Sequence, residues 1–311
     1  MELATANPVF PTCYTPSASR LVEVFLSGKS PTTIKAYGRD LKDFACFVGA
    51  SSIDQASEML FSRGHGGANE MALSYRSYLI EKGLTPATVN RHLASLRSLV
   101  HLARTLGLVT WTLELQSVKS QKYRDTTGTG LNGFRSMLAG VTGSSTKAVR
   151  DRVILRLLWD LALRREEVVS LDLSDVDLQS GTIFIMGKGR REKEKLTLPS
   201  STMCAIRDWI AVRGGEAGAL LTNMNHANKG QRITGAGLYH IIKKLGKDVG
   251  LTARPHGIRH ASITSALDKT NGNVRAVQRF SRHKDIRTLA IYDDNRNDLG
   301  GEVAAMVSLA A

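Results

Sequence analysis

Two stretches in the first hundred residues begin with a hydroxyl residue followed by proline and then carry an apolar stripe at helical spacing. After Ser30-Pro31-Thr32 the stripe is Ile34, Tyr37, Leu41, Phe44 and Val48, and after Thr85-Pro86-Ala87 it is Val89, Leu93, Leu96, Val100 and Ala103. Serine or threonine caps the free N–H groups of a helix start, and proline suits its first turn, where no intrahelical donor is needed. A stripe of this period must be buried on one side, and short isolated helices are marginal in water, so such helices form only by packing on one another. The expectation is a small helical bundle, with a first helix starting near Ser17, a loop at Gly64–Gly67 and a third helix over Ala72–Glu81. Lys35, Arg39, Asn90, Arg91 and Arg97 lie on its polar sides. A charged helix face is by default solvated; a polyanionic partner gives it a second use.

Composition makes that second use relevant. Lys and Arg number 42 against 28 Asp and Glu, a formal net charge of +14 over 311 residues, which favours nucleic acid or an anionic membrane surface. The longest apolar candidate, Val153–Leu163, is interrupted by Arg156 and Asp160, so no membrane span is expected. Met1–Pro16 lacks a basic start followed by an apolar core and reads as a flexible arm, not a secretory signal. The expected location is therefore the cytoplasm. Cys13, Cys46 and Cys204 are too few and too scattered for a disulfide framework or a zinc cluster, and Gly187-Lys188-Gly189 lacks the upstream glycine spacing of a phosphate-binding loop. No metal and no cofactor is expected.

Between about Gly107 and Gly130 the helical period disappears and Thr, Ser, Gly and Lys accumulate, the composition of a linker. The expected organisation is an arm over 1–16, a helical domain over 17–107, a linker over 108–130 and a second domain with a C-terminal tail over 131–311. Val149–Leu163 reads as a buried helix. Thr182–Met186 and Lys195–Leu198 alternate as strands around a turn that carries Lys188. The fold class is mainly α, with one small antiparallel β-sheet in the second domain.

Three patterns in that second domain carry chemistry. They are Leu163-Arg164-Arg165-Glu166-Glu167-Val168; Gly187-Lys188-Gly189; and His256-Gly257-Ile258-Arg259-His260 followed by Ser281-Arg282-His283 and Tyr292. Each is common alone, and their order and spacing are what matter. Together they resemble the tyrosine recombinase (phage integrase) family, in the compact form of the Xer recombinases, over nearly the whole chain. The resemblance implies a helical core-binding domain, a catalytic domain built around Arg164, Lys188, His256, Arg259, His283 and Tyr292, and strand exchange through a 3′-phosphotyrosine. It also implies double-stranded DNA core sites as partner, a homotetramer closing as clamps around two duplexes, and a tail over Leu299–Ala311 that docks on its own domain or on a neighbour. Arg232, Lys243 and Lys244 lie on or before a helix that by resemblance enters a major groove.

The chemistry follows from the residue types. Attack on a phosphodiester builds negative charge on the nonbridging oxygens, and two guanidinium forks, Arg164 and Arg259, are suited to hold it. A phenol with an ordinary pKa of about 10 needs a base or a cationic field, and His256 is the expected base for Tyr292. The leaving 5′-oxygen needs a proton, which Lys188 would supply, with His283 donating to a nonbridging oxygen. Glu167 is expected to orient Arg164, and His260 to act indirectly. The chain departs from the family at two positions that usually hold glycine: Ala162 stands two before the first arginine, and Arg282 stands before the last histidine, where it would add a charge near the phosphate. A type IB topoisomerase-like relaxation activity and a non-cleaving DNA-binding regulator are the alternatives.

Overall fold

The computed structural model describes Leu21 and residues 24–25, 30–119, 129–187, 192–291 and 299–310. The expected arm, the helix start at Ser17, Lys188 and Tyr292 lie outside the described residues. The chain divides into two compact units, Met1–Tyr123 and Arg124–Ala311.

The first unit contains α1 (Pro31–Phe47), α2 (Ile53–Ser62), α3 (Gly64–Glu81) and α4 (Pro86–Thr105). Ser30 and Thr85 cap α1 and α4 by accepting from the N–H groups of Thr33 and Thr88, each with proline in the first turn. Leu41, Phe44, Leu60, Tyr75, Leu79, Leu93 and Leu96 form the buried centre, which Leu21 and Phe25 join. A polar cluster sits inside it: the Tyr75 hydroxyl is 2.9 Å from His92 Nδ1, and His92 Nε2 is 3.3 Å from Asp40, which also pairs with Arg91. Buried polar atoms joined in this way fix the register of α1 against α3 and α4.

The expected loop at Gly64–Gly67 is instead the first turn of α3. Gly64, at φ 64°, turns the corner directly after Arg63, and a Cβ on Gly67 would stand 2.9 Å from the Cβ of Arg63. The glycines permit a close helix-to-helix corner here and do not mark a loop. Beyond α4, Val109, Leu113 and Leu115 are buried in the same core. The Asn90 amide holds both the N–H and the C=O of Val118, at 2.8 and 2.9 Å.

The second unit is mostly helical: α5 (Gly130–Gly140), α6 (Thr146–Asp160), α7 (Arg165–Val169), α8 (Ser200–Arg213), α9 (Gly235–Asp248), α10 (Pro255–Lys269), α11 (Val274–Ser281) and α12 (Leu299–Leu309). Its antiparallel sheet runs β1 (Val176–Asp177), β2 (Thr182–Met186) and β3 (Lys193–Thr197), in that order. The mainly α architecture with one small sheet is the one expected. Two details differ. β3 starts at Lys193, which pairs with Met186, and two-residue β1 is too short to show an alternation in sequence.

Helix α6 is the centre of this unit, with Val149, Val153, Ile154, Leu155, Leu157 and Leu158 all buried. Burial on most sides is why apolar residues crowd its sequence, interrupted at Arg152 and Arg156, which are only partly buried. Ile183 and Ile185 turn inward from β2, and Trp209 of α8 is fully buried with its indole N–H on the Leu220 carbonyl at 2.7 Å. A smaller cluster, Ala162, Ile263, Val277 and Leu289, lies under the turns around residues 162 and 282. Among the described residues no helix is long and apolar enough to cross a membrane.

Candidate active site

Two tight turns and one helix build the site. After α6, Ala162 takes φ 44°, and the backbone then runs extended through Arg164 into α7. An L-residue in the left-handed region costs roughly 1–2 kcal/mol. Burial of the Ala162 methyl among Ile263, Val277 and Leu289 returns about 0.8 kcal/mol, so alanine is tolerated where glycine would be the default. The second turn ends α11, where Arg282 takes φ 57°, ψ 37° and His283 follows. Both departures from the family's glycines therefore fall on left-handed backbone.

Glu167 organises the first turn. Its carboxylate accepts from the Arg164 N–H at 2.8 Å and from the Arg164 guanidinium at 2.7 Å, an i,i+3 pair that also caps α7. Glu167 is 3 % exposed. Burial pushes its carboxyl up, but the Arg164 N–H and the Arg282 and Arg164 guanidiniums together outweigh burial and hold it below the ordinary range. The Arg164 side chain remains about one-third exposed and also donates to the Arg282 carbonyl at 3.3 Å.

Arg259 enters from α10, which starts at Pro255, with the exposed His256 one helical turn before it. Arg259 is 1 % exposed, and its two terminal nitrogens donate to the carbonyls of Ala162 and Ser281. One arginine thus links both turns. His283 Nε2 lies 3.5 Å from an Arg259 terminal nitrogen, and Nδ1 lies 3.0 Å from the Ser281 hydroxyl. Burial first, then Arg259, Arg164, His256 and Arg282, press the His283 pKa down to about 4. The imidazole is neutral at physiological pH in the DNA-free protein.

This gives a pH prediction. An unfolded histidine titrates near 6.5, so between that value and about 4 the unfolded chain binds a proton that folded His283 refuses. Stability must fall as pH drops through that window. Urea unfolding of the full chain by tryptophan fluorescence should show the slope, and His283→Asn should lose part of it; an identical slope in the variant would contradict the assignment.

The structure thus brings together Arg164, Arg259 and His283, with His256 within electrostatic reach. Arg282 lies within this cluster: its side chain is 5 % exposed and turned inward onto backbone carbonyls and Glu167, and its charge is among those felt at His283. Of the residues expected on DNA-binding faces, Lys35, Arg39, Arg232, Lys243 and Lys244 are exposed. Several also serve the fold: Asn90 bonds Val118, Arg91 pairs with Asp40, Arg97 donates to the Leu115 carbonyl at 3.1 Å, and Arg232 donates to the carbonyls of Val169 and Leu171, both at 2.9 Å, and pairs with Asp172. Lys193, which starts β3, pairs with the buried Asp175. Ser281 carries no sequence signal as a histidine partner; only the turn geometry reveals it.

Two arginine forks and an imidazole converge on a helical scaffold, a cationic arrangement suited to an anionic group. Residues 134–298 match the Phage integrase family, and the chain belongs to it. A tyrosine recombinase of Synechocystis sp. (strain ATCC 27184 / PCC 6803 / Kazusa) is 36% identical over 294 residues, covering 93% of this chain and 94% of the relative. The tyrosine recombinase XerC of Alcanivorax borkumensis is 28% identical over 273 residues, 85% of this chain and 83% of the relative. In fold, the XerH site-specific recombinase bound to a palindromic difH substrate, in a post-cleavage complex, superposes with a TM-score of 0.69 at 19% identity, covering 93% of this chain and 85% of that one. The chain is a tyrosine recombinase.

Proposed function

We propose that this tyrosine recombinase exchanges DNA strands at a specific duplex site by attack of Tyr292 on a phosphate held by Arg164 and Arg259. The observation that supports it most directly is Arg259, buried yet charged, whose plane is fixed by two carbonyls on separate turns that also carry Arg164 and His283. A guanidinium oriented before DNA arrives needs no reorganisation as charge builds on the phosphate. A phosphate dianion-like transition state would raise the His283 pKa and favour its charged, donating form, offsetting the burial and the cations that now hold it neutral. His256 takes the phenolic proton and Lys188 delivers one to the leaving 5′-oxygen. The phosphotyrosine preserves the energy of the broken bond, so a 5′-hydroxyl from a partner strand reverses the step.

Lys35 and Arg39 on α1, and Lys243 and Lys244 on α9, would contact the DNA. Asn90, Arg91, Arg97 and Arg232, which also bond within the fold, would line the same DNA-facing surfaces. Synapsis of two duplexes requires several protomers, and a homotetramer with tail contacts through Leu299–Leu309 is the assembly that would satisfy it, acting at the nucleoid.

Selection of covalently captured duplexes from a randomised library recovers the site. A supercoiled plasmid bearing two copies should then yield recombinant circles without added nucleotide. Relaxation alone would indicate a topoisomerase activity, and binding with no covalent product would indicate a regulator; either outcome overturns the proposal. Affinity should also fall steeply with salt, because each neutralised phosphate contributes a slope of about −0.9 in log K against log salt. A flat response would contradict contact with the backbone.

A further inference from the structure

We propose that Arg282 is a positioning residue for the strand-cleavage step, tying Glu167 and through it Arg164 to the turn that carries His283; this rests on the reading above, in which Arg164, Arg259 and His283 hold the phosphate. One terminal nitrogen of Arg282 donates to the carbonyls of Leu161 and Phe280, at 3.0 and 2.9 Å. The other donates to the Ala162 carbonyl at 3.0 Å and to Glu167 at 3.2 Å. Four acceptors on two chain segments more than a hundred residues apart in sequence thus meet one planar group.

The residue occupies a backbone conformation that favours glycine, so something must offset the strain. The four hydrogen bonds do so, and the three to Leu161, Ala162 and Glu167 add to the links between the two turns that a glycine would keep, through Arg259 and through the bond from Arg164 to the residue-282 carbonyl. Arg259 and Arg282 share the Ala162 carbonyl, while Arg164 and Arg282 share Glu167. Arg164 in return donates to the Arg282 carbonyl. Movement of the 282 turn therefore displaces Arg164, Arg259 and His283 together. A phosphate clamp tolerates little such displacement, since misplacement of about 1 Å can cost about 100-fold in rate.

The test is single-turnover formation of the covalent adduct on a nicked duplex of the selected site, at saturating full-length protein. Arg282→Gly and Arg282→Lys are compared with wild type, with DNA affinity and thermal unfolding measured alongside. Arg282→Gly should leave affinity nearly unchanged and slow cleavage about 10- to 100-fold. Guanidinium ion should restore part of the rate where sodium chloride of equal concentration does not, because it can refill the cavity. Arg282→Lys should be intermediate, keeping a cation opposite Glu167 but losing the fork. Adding Glu167→Gln to Arg282→Gly should cost less than Glu167→Gln alone, since the two residues act as one unit.

Cleavage at the wild-type rate in either single variant overturns the proposal, and if Arg282→Gly does not fold, Arg282→Lys decides. A loss repaired by neither guanidinium nor lysine would assign Arg282 to stability alone and also overturn it. Unchanged adduct formation in Arg164→Ala and Tyr292→Phe would instead refute the site itself, whatever the variants at 282 do.

Discussion

Replacing Arg259 with alanine should lower the rate of covalent adduct formation by about 10²- to 10³-fold, the usual cost of losing one preorganised donor to a developing oxyanion. The side chain is buried, and both of its terminal nitrogens are anchored on carbonyls. Its contribution therefore lies in orientation as much as in charge. Arg259→Lys keeps the charge but cannot span the carbonyls of Ala162 and Ser281 while facing a phosphate, so it should remain within about tenfold of the alanine variant. DNA affinity should change far less than rate, because binding is spread over many phosphates. The measurement is single-turnover cleavage of a nicked duplex at saturating protein, with thermal unfolding recorded in parallel. A lysine variant that cleaves like wild type would remove the argument from geometry.

The second large effect is on stability. Glu167→Ala should destabilise the second unit by about 3 kcal/mol, because it leaves the Arg282 guanidinium buried without its carboxylate. Loss of the pairing with Arg164 adds little, since that side chain is partly solvated. The pH dependence is distinct from that of His283. The folded carboxyl lies below its ordinary value of 4.5, so its contribution is complete above that pH and is lost as pH falls through the folded pKa. Urea midpoints from pH 7 downward should show this acid limb in the wild type and a weaker one in Glu167→Gln. Equal midpoints in the two proteins at neutral pH would show that the buried carboxylate does not hold the arginines.

Both effects depend on features of very different legibility in the sequence. Helices α1 and α4 are readable because proline, a capping hydroxyl and an unbroken stripe agree on the same start. The start of α3 is not, since glycine marks a loop and a close helix corner equally well. Arg164 and Glu167 are readable as a pair because three residues of helix bring them together. Arg259 and Arg282 are readable as cations, but apart from Glu167 the acceptors described for them are the carbonyls of residues 161, 162, 280 and 281, and a carbonyl has the same chemistry at every position in a chain. The same blindness applies to Asn90 and Arg97, whose polar faces read as available for DNA while the fold uses them to hold the segment around residues 115–118. The left-handed backbone at Ala162 and Arg282 leaves a trace only through comparison with glycine at those places.

The central claim is that a phenol displaces a sugar oxygen at a phosphate fixed by two guanidiniums. Peptide mapping of the protein trapped on a nicked duplex tests it most directly. A nucleotide attached through its 3′-phosphate to Tyr292, and no trapped species in Tyr292→Phe, is the result expected. A linkage mapped to any other residue, or trapping undiminished in the phenylalanine variant, would contradict it.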